Sequence, residues 1–230
     1  MSEAITKPGE LGLANLQGTS TYTDDAFAKV GGSRGRFLSR LQLFTSNSKE
    51  CKKGLVEVAS YGIMKGKNDP IIKMGKDVVV TPLAWRAKAI DFRDPKKTMA
   101  YHNPKSAEFI AVREVAEGEG SDKKCMFGPE FLLHIEGHGF VTFMMGSITA
   151  RNEATVLRPF ITDPPSNVVL SAQYIETDKY SWHGPKVTAS DQPVSLPATE
   201  QVITEIRTFL APKDSVVEEE ADNAAVNNDR

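Results

Sequence analysis

Two short apolar runs separated by a glycine-containing turn constrain the fold of this chain more than any other feature. Residues 130–135 (EFLLHI) and 140–145 (FVTFMM) flank Gly137-His138-Gly139 near the middle of the chain. Short apolar runs joined by a tight turn with glycine are typical of antiparallel β-hairpins. The sequence therefore predicts a hairpin from Glu130 to Met145.

Further strands are predicted on both sides of this hairpin. The runs at about 36–44 (RFLSRLQLF), 55–64 (LVEVASYGIM) and 77–92 (containing VVVTPLAWRAKAIDF) have strand character, as does the run from Val168 to Ile175. Pro82 interrupts the third run and cannot donate to a strand ladder. We therefore expect an edge strand, a bulge or two shorter strands at that position.

Three segments have helical signals, each with a candidate N-cap and an apolar stripe. The first is capped by Asn103, with Pro104 at the first helical position, and the other two are capped by Ser147 and Thr199. The predicted buried stripes are Phe109, Val112 and Val115; Ala150, Ala154, Leu157 and Phe160; and Val202, Ile206 and Phe209.

The order strand, strand, strand, helix, strand, strand through residue 146 predicts a mainly β (α+β) protein. It matches an OB-like five-stranded barrel, here with extra helices. We expect a flexible N-terminal arm at residues 1–33, a single domain over 34–212 and a disordered acidic tail at 213–230. The tail has no aromatic residue and no periodic apolar face, so it cannot offset the entropy of ordering.

Composition favours a cytoplasmic protein without a membrane partner. The longest apolar runs are far too short to cross a bilayer, and the first ten residues lack the layout of a signal peptide. Cys51 and Cys125 lie far apart and outside any C-x-x-C motif. One disulfide between them is conceivable, but two reduced thiols are expected, and a structural zinc site is not.

Charge is strongly sorted along the chain. Residues 34–97 carry fifteen Lys or Arg against six Asp or Glu, whereas residues 213–230 carry two against six. Such sorting creates a field that attracts a polyanion. Binders of single-stranded nucleic acid combine cationic grooves with aromatic faces on which bases stack. The candidates for phosphate contact are Arg34, Arg36, Arg40, Lys52, Lys53, Lys65, Lys67, Arg86 and Lys88, and those for stacking are Tyr61 and Trp85, with Phe92 and Tyr101 also considered.

A basic half followed by an acidic tail resembles the phage and bacterial single-stranded DNA-binding proteins, which carry an OB-fold and an acidic C-terminus. The resemblance implies sequence-independent binding of single-stranded DNA in replication or recombination. It also implies recruitment of replication or recombination proteins by the tail. This tail departs from the pattern because it is short and ends in NNDR rather than in an acidic-aromatic tip.

A second resemblance covers residues 78–154. The blocks VVVTPLAWRAKAIDF, CMFGPEFLLHI and MMGSITARNEA are similar to segments of poorly characterised proteins encoded by tailed bacteriophages. The similarity implies a phage setting and the cytoplasm of a bacterial host. It implies no activity and no site residues. Gly128-Pro129 in the second block is interpreted as a turn that leads into a strand.

The sequence predicts no catalytic residue, no metal and no cofactor. His134, Glu136 and His138 form H-x-E-x-H, but the flanking glycines place His138 in a turn, and no other His or Cys is nearby in sequence. The chain has no phosphate-binding loop, no dinucleotide fingerprint and no nucleophile elbow. Asp91 and Asp94 in DFRDPKK are interpreted as part of a charged turn.

Two other functions stay open at this point. A phage structural or host-interaction protein would use the same β domain and expose an apolar patch. A metal-dependent DNA-processing enzyme would need clustered carboxylates. Oligomeric state and preference for DNA or RNA are left open.

Overall fold

The computed structural model describes residues 38–66, 69–94, 98–118, 124–211 and 215–216. The predicted arm at residues 1–33 lies outside these ranges, as do Arg34, Arg36 and Lys67. The strands are β1 (Ser39–Phe44), β2 (Ser60–Met64), β3 (Ile72–Gly75), β4 (Val78–Asp91), β5 (Met99–Tyr101), β6 (Cys125–Ile135), β7 (Gly139–Met144), β8 (Val168–Glu176), β9 (Ser181–Ala189) and β10 (Ser215–Val216). The α-helices are α1 (Lys49–Lys52), α2 (Ala107–Glu117), α3 (Ile148–Leu157) and α4 (Thr199–Leu210), and a 3-10 turn (Arg158–Phe160) follows α3.

The protein is mainly β, with a curled mixed sheet that forms a half-barrel. The main path of the sheet has the order β10-β5-β4-β6-β7-β1-β2-β3, and β8 and β9 branch from the beginning of β4. All pairings between the described strands are antiparallel except that of β1 with β7. The five strands predicted through residue 146 correspond to β1, β2, β4, β6 and β7, and they are adjacent in the order β2-β1-β7-β6-β4.

The central hairpin is confirmed. Strands β6 and β7 pair from Glu130 opposite Met144 to Ile135 opposite Gly139, around the predicted turn. Gly137 and Gly139 both have positive φ, which glycine adopts without the steric penalty of a Cβ. The local sequence therefore specified both the turn and the register.

Strand β4 shows how the sheet accommodates Pro82. The register against β6 shifts between Pro82 and Ala84. Of the three alternatives expected from the sequence, the structure therefore has the bulge. Strand β4 pairs with β8 at 78–80, with β6 from Thr81 onward and with β5 from Ala89 onward. The bulge thus lies just after the point where this long strand passes from β8 to β6.

The predicted apolar stripes of the three helices are mostly buried, whereas only one of the three predicted N-caps is observed. Ser147 caps α3 by accepting a hydrogen bond from the Ala150 N–H. The cap of α2 is Ser106 rather than Asn103, and α4 begins at Thr199 after Ala198. All three predicted stripes are buried except for Val115, which is 40% exposed, and Phe160, which is half-buried in the 3-10 turn.

Helices pack on both faces of the β4–β6 part of the sheet. Phe109 and Val112 of α2 bury Ala89 and Cys125 on one face. The α4 stripe of Val202, Ile206 and Phe209 buries Ala84 and Leu132 on the other. Since alternate strand residues face opposite sides, Arg86, Lys88 and Glu130 share the face of α4. The largest cluster joins α3 to β1, β2, β6, β7, β8 and β9.

Several sequence predictions about strands are wrong in detail. Strands β3, β5 and β9 were not predicted, and neither was α1, which lies between the first two predicted strands. Gly128-Pro129 lies inside β6 rather than in a turn. Within the predicted disordered tail, Ser215 and Val216 pair with Ala100 and Met99 of β5, while the other tail residues lie outside the described ranges. No helix in the described ranges has the length and apolar character needed to cross a membrane.

Candidate nucleic-acid interface

Two of the predicted phosphate-binding residues are instead tied to a buried carboxylate. Arg86 and Lys88 extend from β4 toward Glu130, which stands directly opposite Arg86 on β6. Arg86 Nε donates to Glu130 Oε2 at 2.8 Å, and Lys88 Nζ donates to Oε1 at 3.0 Å. The side chains of Lys88 and Glu130 are only 9% and 4% exposed. The predicted phosphate contacts of Arg86 and Lys88 are therefore not available in this structure.

Arg86 also holds the end of α4. Its Nη1 donates to the Phe209 carbonyl at 2.6 Å, and its guanidinium lies 4.4 Å from the centroid of the Phe209 ring. The last carbonyls of a helix lack partners within the helix and carry partial negative charge. Arg86 satisfies one of them, so this residue is a structural link between the sheet and the C-terminal helix.

The buried charges shift the pKa values of two neighbours. Burial alone would raise the pKa of Glu130, but Lys88, Arg86 and His102 outweigh it and hold the pKa at about 2. Burial lowers the pKa of His102 to about 4, and the positive charges of Arg86 and Lys88 contribute to that shift. Glu130 is therefore ionised and His102 neutral at pH 7.

These shifts predict a two-step loss of stability in acid. Both groups have folded pKa values below their ordinary values of 4.5 and 6.5, so the unfolded chain binds more protons as pH falls. His102 lowers stability between about pH 6.5 and 4, and Glu130 between about pH 4.5 and 2. Thermal unfolding followed by circular dichroism from about pH 8 to about pH 2 should show a midpoint that falls through both steps. A midpoint that stays constant on acidification would contradict the buried network.

Tyr61 is a core residue, and the structure contradicts its predicted stacking role. The side chain is fully buried, with an exposure of 0%, and its ring packs edge-on against Phe143. Its hydroxyl donates to the Ser171 carbonyl at 2.9 Å. Tyr61 therefore has no exposed face for a base, and it ties β2 to β8.

Trp85 is also unavailable for stacking. It is half-buried against the main core, and the Arg158 guanidinium lies 3.7 Å from the centroid of its ring. This cation–π contact covers one face of the indole. Phe92 is buried and Tyr101 is half-buried beside α2, so neither offers an open ring.

The remaining predicted cations lie around the three-stranded unit β1–β2–β3. Arg40 is half-buried on β1, opposite Met64, and its Nη2 lies 3.6 Å from Met64 Sδ. Lys52, Lys53 and Lys65 are exposed in the two loops of this unit. Together with further exposed lysines that the structure places here, they form what we term the β1–β3 cationic surface: Arg40, Lys49, Lys52, Lys53, Lys65, Lys73 and Lys76.

The strand register spreads these cations over the whole length of the unit. The α1 loop joins the end of β1 to the start of β2, where Phe44 pairs with Ser60. Lys73 stands opposite Gly62 in the middle of β2, and Lys65 follows the other end of β2. From residue 38 to 77, the described residues comprise seven basic and four acidic side chains. A net positive charge over one sheet unit suits contact with an extended polyanion.

Two exposed tyrosines were missed by the sequence analysis. Tyr174 of β8 and Tyr180 of the β8–β9 turn are 58% and 48% exposed. The Tyr174 ring rests against His183 across the hairpin, with centroids 5.3 Å apart. Strand β9 has weak strand signals because it contains Gly184 and Pro185, and without β9 no exposed aromatic hairpin could be predicted.

The acidic and histidine motifs do not form a metal centre within the described ranges. No group of three or more His, Cys, Asp or Glu side chains there is placed to hold an ion. Asp91 forms two hydrogen bonds with Arg93 Nε, and the Arg93 side chain lowers the pKa of Asp91. His138 lies in the exposed turn, whereas His134 is buried.

Fold and surface together define a mainly β protein with helices on both faces of a curled sheet and a cationic surface on its β1–β3 unit. No protein-family model, curated protein or solved structure matches the chain.

Proposed function

We propose that this protein binds single-stranded DNA without sequence preference through the β1–β3 cationic surface, in support of phage replication or recombination. The observation that carries the proposal is the placement of exposed lysines in both loops of that unit, on β3 and directly after β3. Phosphate contacts by such side chains supply most of the affinity of sequence-independent binding.

Base stacking in this proposal comes from the β8–β9 hairpin. Tyr174 and Tyr180 offer exposed rings, and the hydrogen bond from Tyr61 to Ser171 holds β8 against β2 of the cationic unit. Stacking on aromatic side chains tolerates any base, as a sequence-independent binder requires.

The curled half-barrel and the acidic tail also have roles in the proposed binding. We propose that the curled half-barrel has the role that an OB-type barrel has in single-strand binders, presenting one curved face to the strand. The acidic residues of 213–230 would compete with DNA for the cationic surface and recruit replication or recombination proteins.

The proposal predicts that reversing two charges of the α1 loop weakens binding. The double variant Lys52→Glu, Lys53→Glu should bind labelled oligo-dT about tenfold to a hundredfold more weakly than wild type. Its slope of log K against log salt should fall by about 1.4, since each phosphate contact on a single strand contributes about 0.7. Tyr174→Ala should weaken binding about tenfold and leave the slope unchanged. Fluorescence anisotropy measures all three.

The matched control is Lys105→Glu, Arg207→Glu, which makes the same change in net charge at exposed positions beside α2 and on α4. It should bind within about threefold of wild type, because long-range charge effects are screened over about a Debye length. Equal loss of affinity in both double variants would show that binding responds only to net charge and would contradict the proposed surface.

A further inference from the structure

A small polar cavity lies beside the turn of the central hairpin, and no residue of the β1–β3 cationic surface lines it. Its volume is about 160 Å³. Thr81, His134 and Asn167 form its buried part, with exposures of 3%, 8% and 6%, and Glu136 and Ser195 lie at its exposed rim. The cavity has room for about five water molecules or one small organic group, given that a liquid water occupies about 30 Å³.

The hydrogen bonds around Asn167 use up the side-chain donors of Thr81 and Asn167. Asn167 Nδ2 has two hydrogens, and it donates to the carbonyls of Gln192 and Pro193 at 3.2 and 3.0 Å. The Thr81 hydroxyl donates its single hydrogen to Asn167 Oδ1 at 2.5 Å. An amide oxygen has two lone pairs, so Asn167 Oδ1 keeps one acceptor position.

His134 adds a second acceptor. Its Nδ1 is buried and has no hydrogen-bond partner. Burial lowers the pKa of His134, while Glu136 and a hydrogen bond with the Ser195 backbone oppose that shift. A hydrogen bond raises the pKa of a histidine when a ring nitrogen is the donor. Because Nδ1 has no partner, the nitrogen that donates to the Ser195 backbone is Nε2. In the neutral ring, Nδ1 then carries a lone pair.

Three acceptors of the cavity suit a ligand that donates several hydrogen bonds. They are His134 Nδ1, one lone pair of Asn167 Oδ1 and the Glu136 carboxylate at the rim, which adds negative charge. A primary ammonium group carries one positive charge and three N–H donors. We propose that this cavity binds a small primary ammonium compound, with its donors directed at these three acceptors.

The test uses the full chain labelled with ¹⁵N at histidine, and the probe is methylammonium chloride. Tetramethylammonium chloride at equal ionic strength is the matched control, because it has the same charge and no N–H donor. Methylammonium should shift the His134 Nδ1 resonance with saturation, and tetramethylammonium should not. A blocked lysine, titrated in parallel, distinguishes a free amine from a lysine side chain as the source of the ammonium group.

The variant His134→Phe keeps a ring beside Phe140 and removes the acceptor. It should weaken methylammonium binding about tenfold. In this variant, binding is followed by the resonance of the Asn167 backbone amide in uniformly ¹⁵N-labelled protein. The wild-type ring resonance is decisive even where this variant fails to fold. An Nδ1 resonance that moves equally with both salts, or with neither, would show that the cavity holds only water and would overturn the proposal.

Discussion

Replacing Glu130 by alanine should lower the free energy of unfolding by about 3–5 kcal/mol, the loss expected when one partner of a buried ion pair is removed. The carboxylate is the shared acceptor of Arg86 and Lys88, and its side chain is 4% exposed. Without it, two cations remain beside each other in a buried site, and the link from Arg86 to the end of α4 is weakened. Urea denaturation followed by circular dichroism measures the change.

The control for this experiment is Glu114→Ala, which removes an exposed carboxylate from α2. It should change the free energy of unfolding by less than about 0.5 kcal/mol. If Glu130→Ala cost no more than the control, the buried network would contribute nothing, and Arg86 and Lys88 would return as candidates for phosphate contact.

Gly128→Ala should destabilise the protein by about 3 kcal/mol, at the upper end of the range for overpacking. A Cβ at position 128 would collide with the Met145 carbonyl oxygen and lie 3.0 Å from Gly146 Cα. Both are backbone atoms, and the Met145 N–H is fixed by its bond to the Pro129 carbonyl at 2.9 Å. The clash therefore cannot be relieved by rotating a side chain.

Gly137→Ala serves as the control for Gly128→Ala. Gly137 has a φ of 75° and nothing within 4 Å of the added Cβ, so only backbone strain of about 1 kcal/mol is expected. Thermal and urea unfolding of both variants would separate the effect of the backbone clash at position 128 from that of backbone strain at position 137. A loss for Gly128→Ala no larger than that for Gly137→Ala would contradict the close approach of β6 and residues 145–146.

Features that depend on neighbours in sequence could be predicted here, and features that depend on distant partners could not. The β6–β7 hairpin and the stripe of α4 follow from local turn chemistry and apolar spacing. The alternation of side chains along β4 places Arg86 and Lys88 on one face. Nothing in that pattern indicates that Glu130, 44 residues away, stands opposite Arg86.

The same limit explains the two aromatic residues. Tyr61 and Trp85 lie among basic residues in sequence, which favoured a binding role, yet the fold buries Tyr61 under β8 and covers Trp85 with Arg158. The cavity at His134 combines residues from β4, β6 and the loops near 167 and 195. No local sequence spacing connects those segments, so the cavity could not be predicted. The H-x-E-x-H pattern suggested His134 only as a possible metal ligand.

The most direct test of the proposed function is fluorescence anisotropy of the full-length protein with labelled oligo-dT and a duplex of equal length, over a series of salt concentrations. We predict tighter binding to the single strand and a linear fall of log K with log salt, because cations are released from the phosphates. Absence of binding at low salt, or an affinity that does not change with salt, would contradict the account and direct attention to protein partners.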